Sequence, residues 1–416
     1  MAAQIDSFPD KIRPDNQPLI FTISDGVSTP DRYIVQVEED GTEIAKLYLT
    51  PNTAGVVHFD LSEIVRDRVK VDDKERDESD TIHIQKATAF TTGRNGLKQY
   101  EVKVGTYDGT SESLDDDNES VYLVDGSEQI IDGLHPFFKS FYPTVTSAIS
   151  WLTDRRSVSQ VLEVKADDDD FGVGAFLNDS TIIGGTATKV AYELYQGGTM
   201  VSSEDFDIDV ANGAQLPGAT DINQKITYMG IFPQNLKGYV QSGSRPSDFP
   251  DWTHYNLRLE TAAGVTRSST IKVVKECDPF KHDLTQLAWT NSNGGWDYLK
   301  FEGRTLKTLK TESKMYKKAL GDWDDTTYTF IKQARDSQPY QVVGMQSYEL
   351  KSVNFTTNEL ELLQYALRSD NAMVRIGAKG VWFPVNLDTK TYKVETSVSR
   401  ITSVSFNVTQ AQAIRC

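Results

Sequence analysis

The sequence predicts a mainly β chain: two β-sandwich domains followed by a helix-flanked β-barrel or sandwich. Three observations carry that expectation. Apolar residues alternate with polar ones over many short runs, the period of strands with one buried face. Asp40-Gly41, Asn95-Gly96, Gly197-Gly198 and Asn293-Gly294 separate such runs, and tight hairpin turns need residues that tolerate positive φ. Helical spacing of apolar residues is confined to two short segments.

In residues 15–110, Tyr33, Val35 and Val37 alternate with polar neighbours, Asp40-Gly41 turns, and Ile44 to Leu49 returns. Asn95-Gly96 before Tyr100, Val102 and Val104 repeats the signature. Between them, "HFDLSEIVRDRV" predicts one short helix, with Asp60 and Glu63 at capping-box spacing and Ile64, Val65 and Val69 on one stripe. The acidic "YDGTSESLDDDNES" (107–120) has too few apolar residues for a core and reads as a linker. Beyond it, Val190, Tyr192 and Leu194 cross Gly197-Gly198 into Met200 to Ile208, and Leu257 and Leu259 cross a Gly264 turn to Ile271 and Val273. Both segments fit a sandwich of the immunoglobulin or fibronectin type.

From Phe280 the pattern changes. Strand-like pieces (Leu284 to Trp289, Trp296 to Phe301, Tyr328 to Lys332, Tyr340 to Val343) lead into "TTNELELLQYALRSDN", where Thr356 and Glu359 have capping-box spacing and Leu360, Leu363 and Leu367 share a face. Val374 and Ile376, then Val381, Phe383 and Val385, then Tyr392 and Val394, then Val404, Phe406 and Val408 predict further strands. At roughly 150 residues per domain, the expected division of the 416 residues is 1–110, 111–280 and 281–416.

The net charge of −17 is uneven: Lys281 to Cys416 carries 18 Lys and Arg against 14 Asp and Glu, or +4, leaving −21 for the first 280 residues. The acidic part repels nucleic acid, which argues against direct nucleic-acid binding. The basic run Lys300, Arg304, Lys307, Lys310, Lys314, Lys317 and Lys318 alternates with Leu306, Leu309, Met315 and Tyr316, as on the solvated face of a strand or short helix. A basic C-terminal part and an acidic remainder could dock on each other between copies. No apolar run approaches the roughly 20 residues of a membrane span, and "MAAQIDSFPDKIRPDNQP" reads as mature sequence with a flexible arm, made in the cytosol. Two cysteines, Cys277 and Cys416, supply no disulfide framework.

Chemistry is not signposted. GxSxG, HExxH and GxxxxGK[ST] do not occur, and "GVGAFL" at Gly172 stops short of a complete GxGxxG. No catalytic, cofactor or metal residues are expected: the five histidines stand singly, and the runs Asp115 to Asp117 and Asp167 to Asp170 misplace the glycine or the bidentate Glu of an EF-hand loop. Two surfaces stand out instead. In "LAWTNSNGGWDYLKFEG" (287–303), Trp289 and Trp296 flank the soft turn at Asn293, Gly294 and Gly295, which marks a hairpin corner that buries aromatic area in its own domain, against another subunit, or both. In "DFPDWTHYN" (248–256), Trp252, His254 and Tyr255 sit beside acids, where a sugar ring could stack, although a packed aromatic fits as well.

The corner, the helix "NELELLQYALRSDNAMVRI" and the strand "WFPVNLDTKTYKV", in that order, resemble the C-terminal part of structural proteins of tailed bacteriophages, especially those infecting Bacteroidota. "GVVHFDLSEIVRDRV" and "SWLTDRRSVSQV" are similar to segments of the same group. The resemblance implies a C-terminal domain of the tail-tube type and a virion component of the tail, baseplate or tail tip. It further implies a homo-oligomeric ring with other virion proteins as partners; the absence of catalytic motifs predicts no enzymatic activity and no cofactor, with an enzyme lacking any local signature as the weakest alternative. Assembly in the bacterial host cytoplasm follows. The alternative expectation is a carbohydrate-binding adhesin that contacts a host surface glycan.

Overall fold

The computed structural model describes residues 2–9, 12–14, 18–26, 30–66, 68–69, 91–92, 96–124, 151–155, 160–178, 187–208, 226–276, 285–317, 326, 337–369, 371–377, 381–388, 402–411 and 414–415. The chain is mainly β and forms two compact units, residues 1–278 with 289–298, and 279–288 with 299–416.

The first unit opens with β1 (Gln4–Ser7), β2 (Ile12–Pro14), β3 (Ile20–Ser24), β4 (Arg32–Glu39), β5 (Thr42–Leu49), β6 (Val57–Asp60), helix α1 (Ser62–Val65), β7 (Thr91–Thr92), β8 (Leu97–Tyr107) and β9 (Glu112–Val124). Sheets β1-β3-β6 and β2-β9-β8-β4-β5 share one core, in which Phe21, Ile23 and Phe59 meet Tyr33, Val35, Val37, Tyr100, Val102 and Val104. The β4–β5 hairpin turns through Asp40 and Gly41 at φ 51° and 78°. Strand β4 departs from the expected single buried face, because Ile34 and Gln36 are buried as well. It lies between β8 and β5, and its second face is satisfied internally: Gln36 Nε2 donates to Glu38 Oε1 (2.8 Å), whose carboxylate also pairs with Lys103 (2.9 Å).

Two further expectations need correction here. The acidic stretch 107–120 is not a linker but the tip of the β8–β9 hairpin and most of β9. The Asp108 carboxylate closes the turn by accepting from Thr110 N (2.9 Å) and Ser111 N (2.8 Å), while Asp116 and Asp117 accept from Ala3 N (3.0 Å) and Ile5 N (2.9 Å) of β1. Carboxylates unfavourable in a free strand are here acceptors for backbone that would otherwise be unpaired. At α1 the cap is Leu61 and no capping box forms. Asp60 Oδ1 instead accepts from both Leu19 N (2.9 Å) and Ser62 N (3.0 Å), tying the helix to the start of β3.

The same unit continues with β10 (Val161–Ala166), β11 (Val173–Leu177), β12 (Lys189–Gln196), β13 (Thr199–Asp207), β14 (Ile226–Gly230), β15 (His254–Glu260) and β16 (Thr270–Lys275). They form the sheets β10-β16-β15-β12-β13 and β11-β14-β7, with Gly197 and Gly198 (φ 55° and 86°) turning β12 into β13 as the glycine pair predicts. Strand β7 comes from residues 91–92, yet it pairs with β14.

The second unit contributes β17 (Thr285–Thr290), β18 (Trp296–Phe301), β19 (Leu306–Lys317), β20 (Ser337–Phe355), helix α2 (Thr357–Ala366), β21 (Ala372–Ile376), β22 (Phe383–Leu387), β23 (Thr402–Gln410) and β24 (Ile414–Arg415) to a sheet ordered β18-β17-β21-β22-β23-β20-β19, with β24 on β20. The turn 291–295 and the adjoining ends of β17 and β18 are counted in the first unit. The capping box of α2 forms: Glu359 N donates to Thr356 Oγ1 (3.3 Å) and Thr356 N to Glu359 Oε2 (2.8 Å). Leu360 and Leu363 are buried, and Leu367 is the C-cap. Phe301 packs on Phe355 and Phe406, with ring centroids 5.3 and 6.1 Å apart. Val381 is 67% exposed and precedes β22, which begins at Phe383. Asn95, Tyr328 to Lys332, Tyr392 and Val394 lie outside the described residues.

Of the basic run, Lys307, Lys310, Lys314 and Lys317 lie on strand β19 and Arg304 just before it, Lys300 departs from the expected solvated face by being buried in β18, and Lys318 lies outside the described residues. From Lys307 to Lys317 every residue of β19 is exposed, and it pairs with β20 from Leu306↔Glu349 to Lys317↔Ser337. Among the described residues no helix is long and apolar enough to cross a membrane.

Candidate functional site

The corner between β17 and β18 is built by Asn291. Its Oδ1 accepts from Asn293 N (3.0 Å) and Gly295 N (2.9 Å), its backbone N donates to Gly295 O (2.9 Å), and Gly294 takes φ 79°. An Asn side chain can stand in for backbone in this way, so Asn291 organises the turn that the Asn293-Gly294 pair marks in the sequence.

Against this turn lies the segment 151–155, more than a hundred residues away in the chain. Asn291 Nδ2 donates to Leu152 O (2.8 Å) and Asn293 Nδ2 to Thr153 O (3.1 Å). The Asp154 carboxylate accepts from Ser292 N (3.0 Å), Asn293 Nδ2 (3.0 Å) and Ser292 Oγ. In return Asp297 accepts from Thr153 Oγ1 (2.5 Å) and Asp154 N (2.8 Å), and Arg155 donates to Glu163 O (3.0 Å) and Tyr298 O. Gly295 has no room for a side chain: a Cβ there would lie 2.1 Å from Leu152 O.

The electrostatics follow from burial. Desolvation lifts the Asp154 carboxyl to about 7, and the neighbouring Asp297 adds to the rise. Burial raises Asp297 too, opposed by the Arg155 guanidinium and the hydrogen bonds that Asp297 accepts. Two buried acids side by side do not both ionise cheaply. Asp154 is therefore the one that holds its proton, and Asp297, beside Arg155, carries the charge.

Trp289, Asn293, Gly294, Gly295 and Trp296 are all buried within the chain itself. A pocket beside the corner, lined by Trp151, Leu152, Ile231, Trp296 and Asp297 among others, has about 20 Å³ of free space, enough for about one water molecule and far too little for a sugar. The arrangement is that of a clamp: the polar contacts of Asp154 and Asp297, and those of the Asn291 and Asn293 amide nitrogens, join the segment 151–155 to the corner. Asp154, Asp297, Thr153 and Asn291 were not singled out by sequence reasoning. Their one signal is that polar residues follow Trp151 in "SWLTDRRSVSQV" and stand between Trp289 and Trp296 in "LAWTNSNGGWDYLKFEG".

The second sequence-marked group is likewise internal. Trp252 and Tyr255 are buried; Trp252 Nε1 donates to Asp168 Oδ1 (2.6 Å), Lys275 Nζ lies 5.3 Å from the ring centroid, and Tyr255 OH donates to Ile231 O (2.7 Å). His254 is half-buried and stacks on Tyr195 at 4.5 Å. Trp252→Ala is accordingly expected to lower stability by about 3–5 kcal/mol, read as a shift of the urea midpoint. An unchanged midpoint would show that the ring is not part of the core.

Of the acidic runs, Asp168 is held by Trp252 and by Lys275 (3.1 Å), and Asp170 accepts from Asp167 N (2.6 Å). Among the described residues, no three His, Cys, Asp or Glu side chains converge as a metal site would require.

The fold and clamp define a mainly β chain whose sequence-marked tryptophans are buried within it. Compared with known proteins, no family model matches the chain and no curated protein is similar to it.

Proposed function

We propose that this chain is a structural component of a tailed-phage virion, placed in the tail, baseplate or tail tip, and that it assembles into a ring through its C-terminal region. The β19–β20 ribbon is the observation that carries this reading. Five of the eleven large apolar side chains exposed among the described residues lie on it: Leu309, Met315, Tyr316, Tyr340 and Met345, each 44–63% exposed. Among the described residues, β20 from Ser337 to Val342 has only β19 beside it, so the outer ribbon is two-stranded there. A two-stranded ribbon is marginal alone, and exposed apolar residues concentrated on one element mark a surface awaiting a partner.

In this reading the sheets of residues 1–278 are immunoglobulin- or fibronectin-like sandwiches presented outward, and the sheet of the second unit is of the tail-tube type. The order of sequence motifs that resembles phage structural proteins supports the same assignment. The test is sizing of the purified full chain over a range of concentrations, beside a variant with those five ribbon residues changed to serine. The wild type is expected to form a discrete oligomer and the variant to remain monomeric with an unchanged circular dichroism spectrum. A wild type that stays monomeric and never enters particles with other virion proteins would sink the proposal.

A further inference from the structure

We infer that the outer edge of β19 pairs with the outer edge of β13 in a neighbouring copy of this chain, an inference that rests on the assembly reading above. Among the described residues both strands end their sheets, each with one row of backbone donors and acceptors that no described strand pairs. Strand β19 carries Lys307, Lys310, Lys314 and Lys317 against the single Glu312. Strand β13 carries Glu204, Asp205 and Asp207 and no cation. The other long outer strands of the first unit, β5 and β10, each carry one acid and one base, and β13 with nine residues is longer than either. Charge and length therefore single out β13.

An antiparallel register fits the two strands side chain to side chain. With Lys307 opposite Asp207, Lys310 falls opposite Glu204, and residues 307–312 face 207–202 up to the irregularity of β13 between Ser202 and Met200. The acids are only lightly engaged in their own chain: Asp205 lies 3.8 Å from Lys189, and Glu204 accepts from Gln241 N (3.1 Å).

Lysines on an outer strand ordinarily guard it against pairing. Here the same charges select the partner, since β19 against β19 opposes lysines and β13 against β13 opposes carboxylates. Only the unlike pairing remains, and unlike pairing is head-to-tail, the kind that closes rings.

The experiment uses three full-length variants: Lys307→Glu with Lys310→Glu, Glu204→Lys with Asp207→Lys, and all four changes together. Sedimentation at low salt is expected to show each two-residue variant associating about 100-fold or more weakly than wild type. Mixing those two variants, or combining the four changes in one chain, is expected to restore assembly. If wild type assembles and the two-residue variants match it, strand pairing is wrong while the assembly reading stands. If folded variants fail and mixing does not rescue them, the pairing is overturned as well. A wild type that remains monomeric takes the assembly reading down and this inference with it.

Discussion

Gly295→Ala is expected to cost about 3 kcal/mol or more and to open the clamp between residues 151–155 and the corner. The new methyl would sit 2.1 Å from Leu152 O and 3.0 Å from Leu152 Cβ. No rotamer can relieve a clash between a Cβ and a backbone carbonyl, so either the turn or the 151–155 segment must move. Moving either one breaks the hydrogen bonds of Asn291 to Leu152 and of Asp154 to Ser292. Gly41→Ala provides the contrast. Gly41 has φ 78° and nothing near its Cβ position, so only the left-handed backbone opposes the change, at about 1 kcal/mol. Urea unfolding of the two variants checks the claim, and equal losses would refute the close approach.

The second large effect is in pH. The folded Asp154 carboxyl titrates near 7 because it is buried beside Asp297, while in the unfolded chain it titrates near 4. The folded state then binds more protons than the unfolded one between those values, so this group's contribution to stability is complete below about pH 4. It is lost as pH rises to about 7, at up to ~1.4 kcal/mol per unit. Asp154→Asn removes the titration. The stability difference between variant and wild type is expected to move by a few kcal/mol in the variant's favour from pH 4 to pH 8, read from urea midpoints across that range. Carboxylates held low by hydrogen bonds, Asp108 and Asp60 among them, act in the opposite direction at more acid pH and cancel in the difference. A constant difference would mean that Asp154 is ionised throughout.

Local rules carried much of the fold. The glycine pair at 197–198 and the capping box at Thr356 each act within a few residues and appear where their chemistry places them, and the alternation of Tyr33, Val35 and Val37 marks a strand although both its faces are buried. What escaped depends on distant partners. Residues 107–120 read as a linker because they hold too few apolar side chains for a core, and the long-range use of Asp116 and Asp117 lies with the backbone donors of Ala3 and Ile5, more than a hundred residues away. The clamp is hidden for the same reason: Thr153 and Asp297 are 144 residues apart. The lysines of β19 were visible as a solvated face, but that no other described strand pairs with the outer ribbon is a property of the sheet order.

The clamp also orders events in time. As the chain leaves the ribosome, residues 151–155 emerge with their acceptors and donors exposed, and their partners at 291–297 are translated only after everything between them. Contacts of such long range close late. The first unit therefore reaches its final packing only once the hairpin that leads into the second unit has been made, which keeps maturation of the acidic unit in step with synthesis of the basic ribbon.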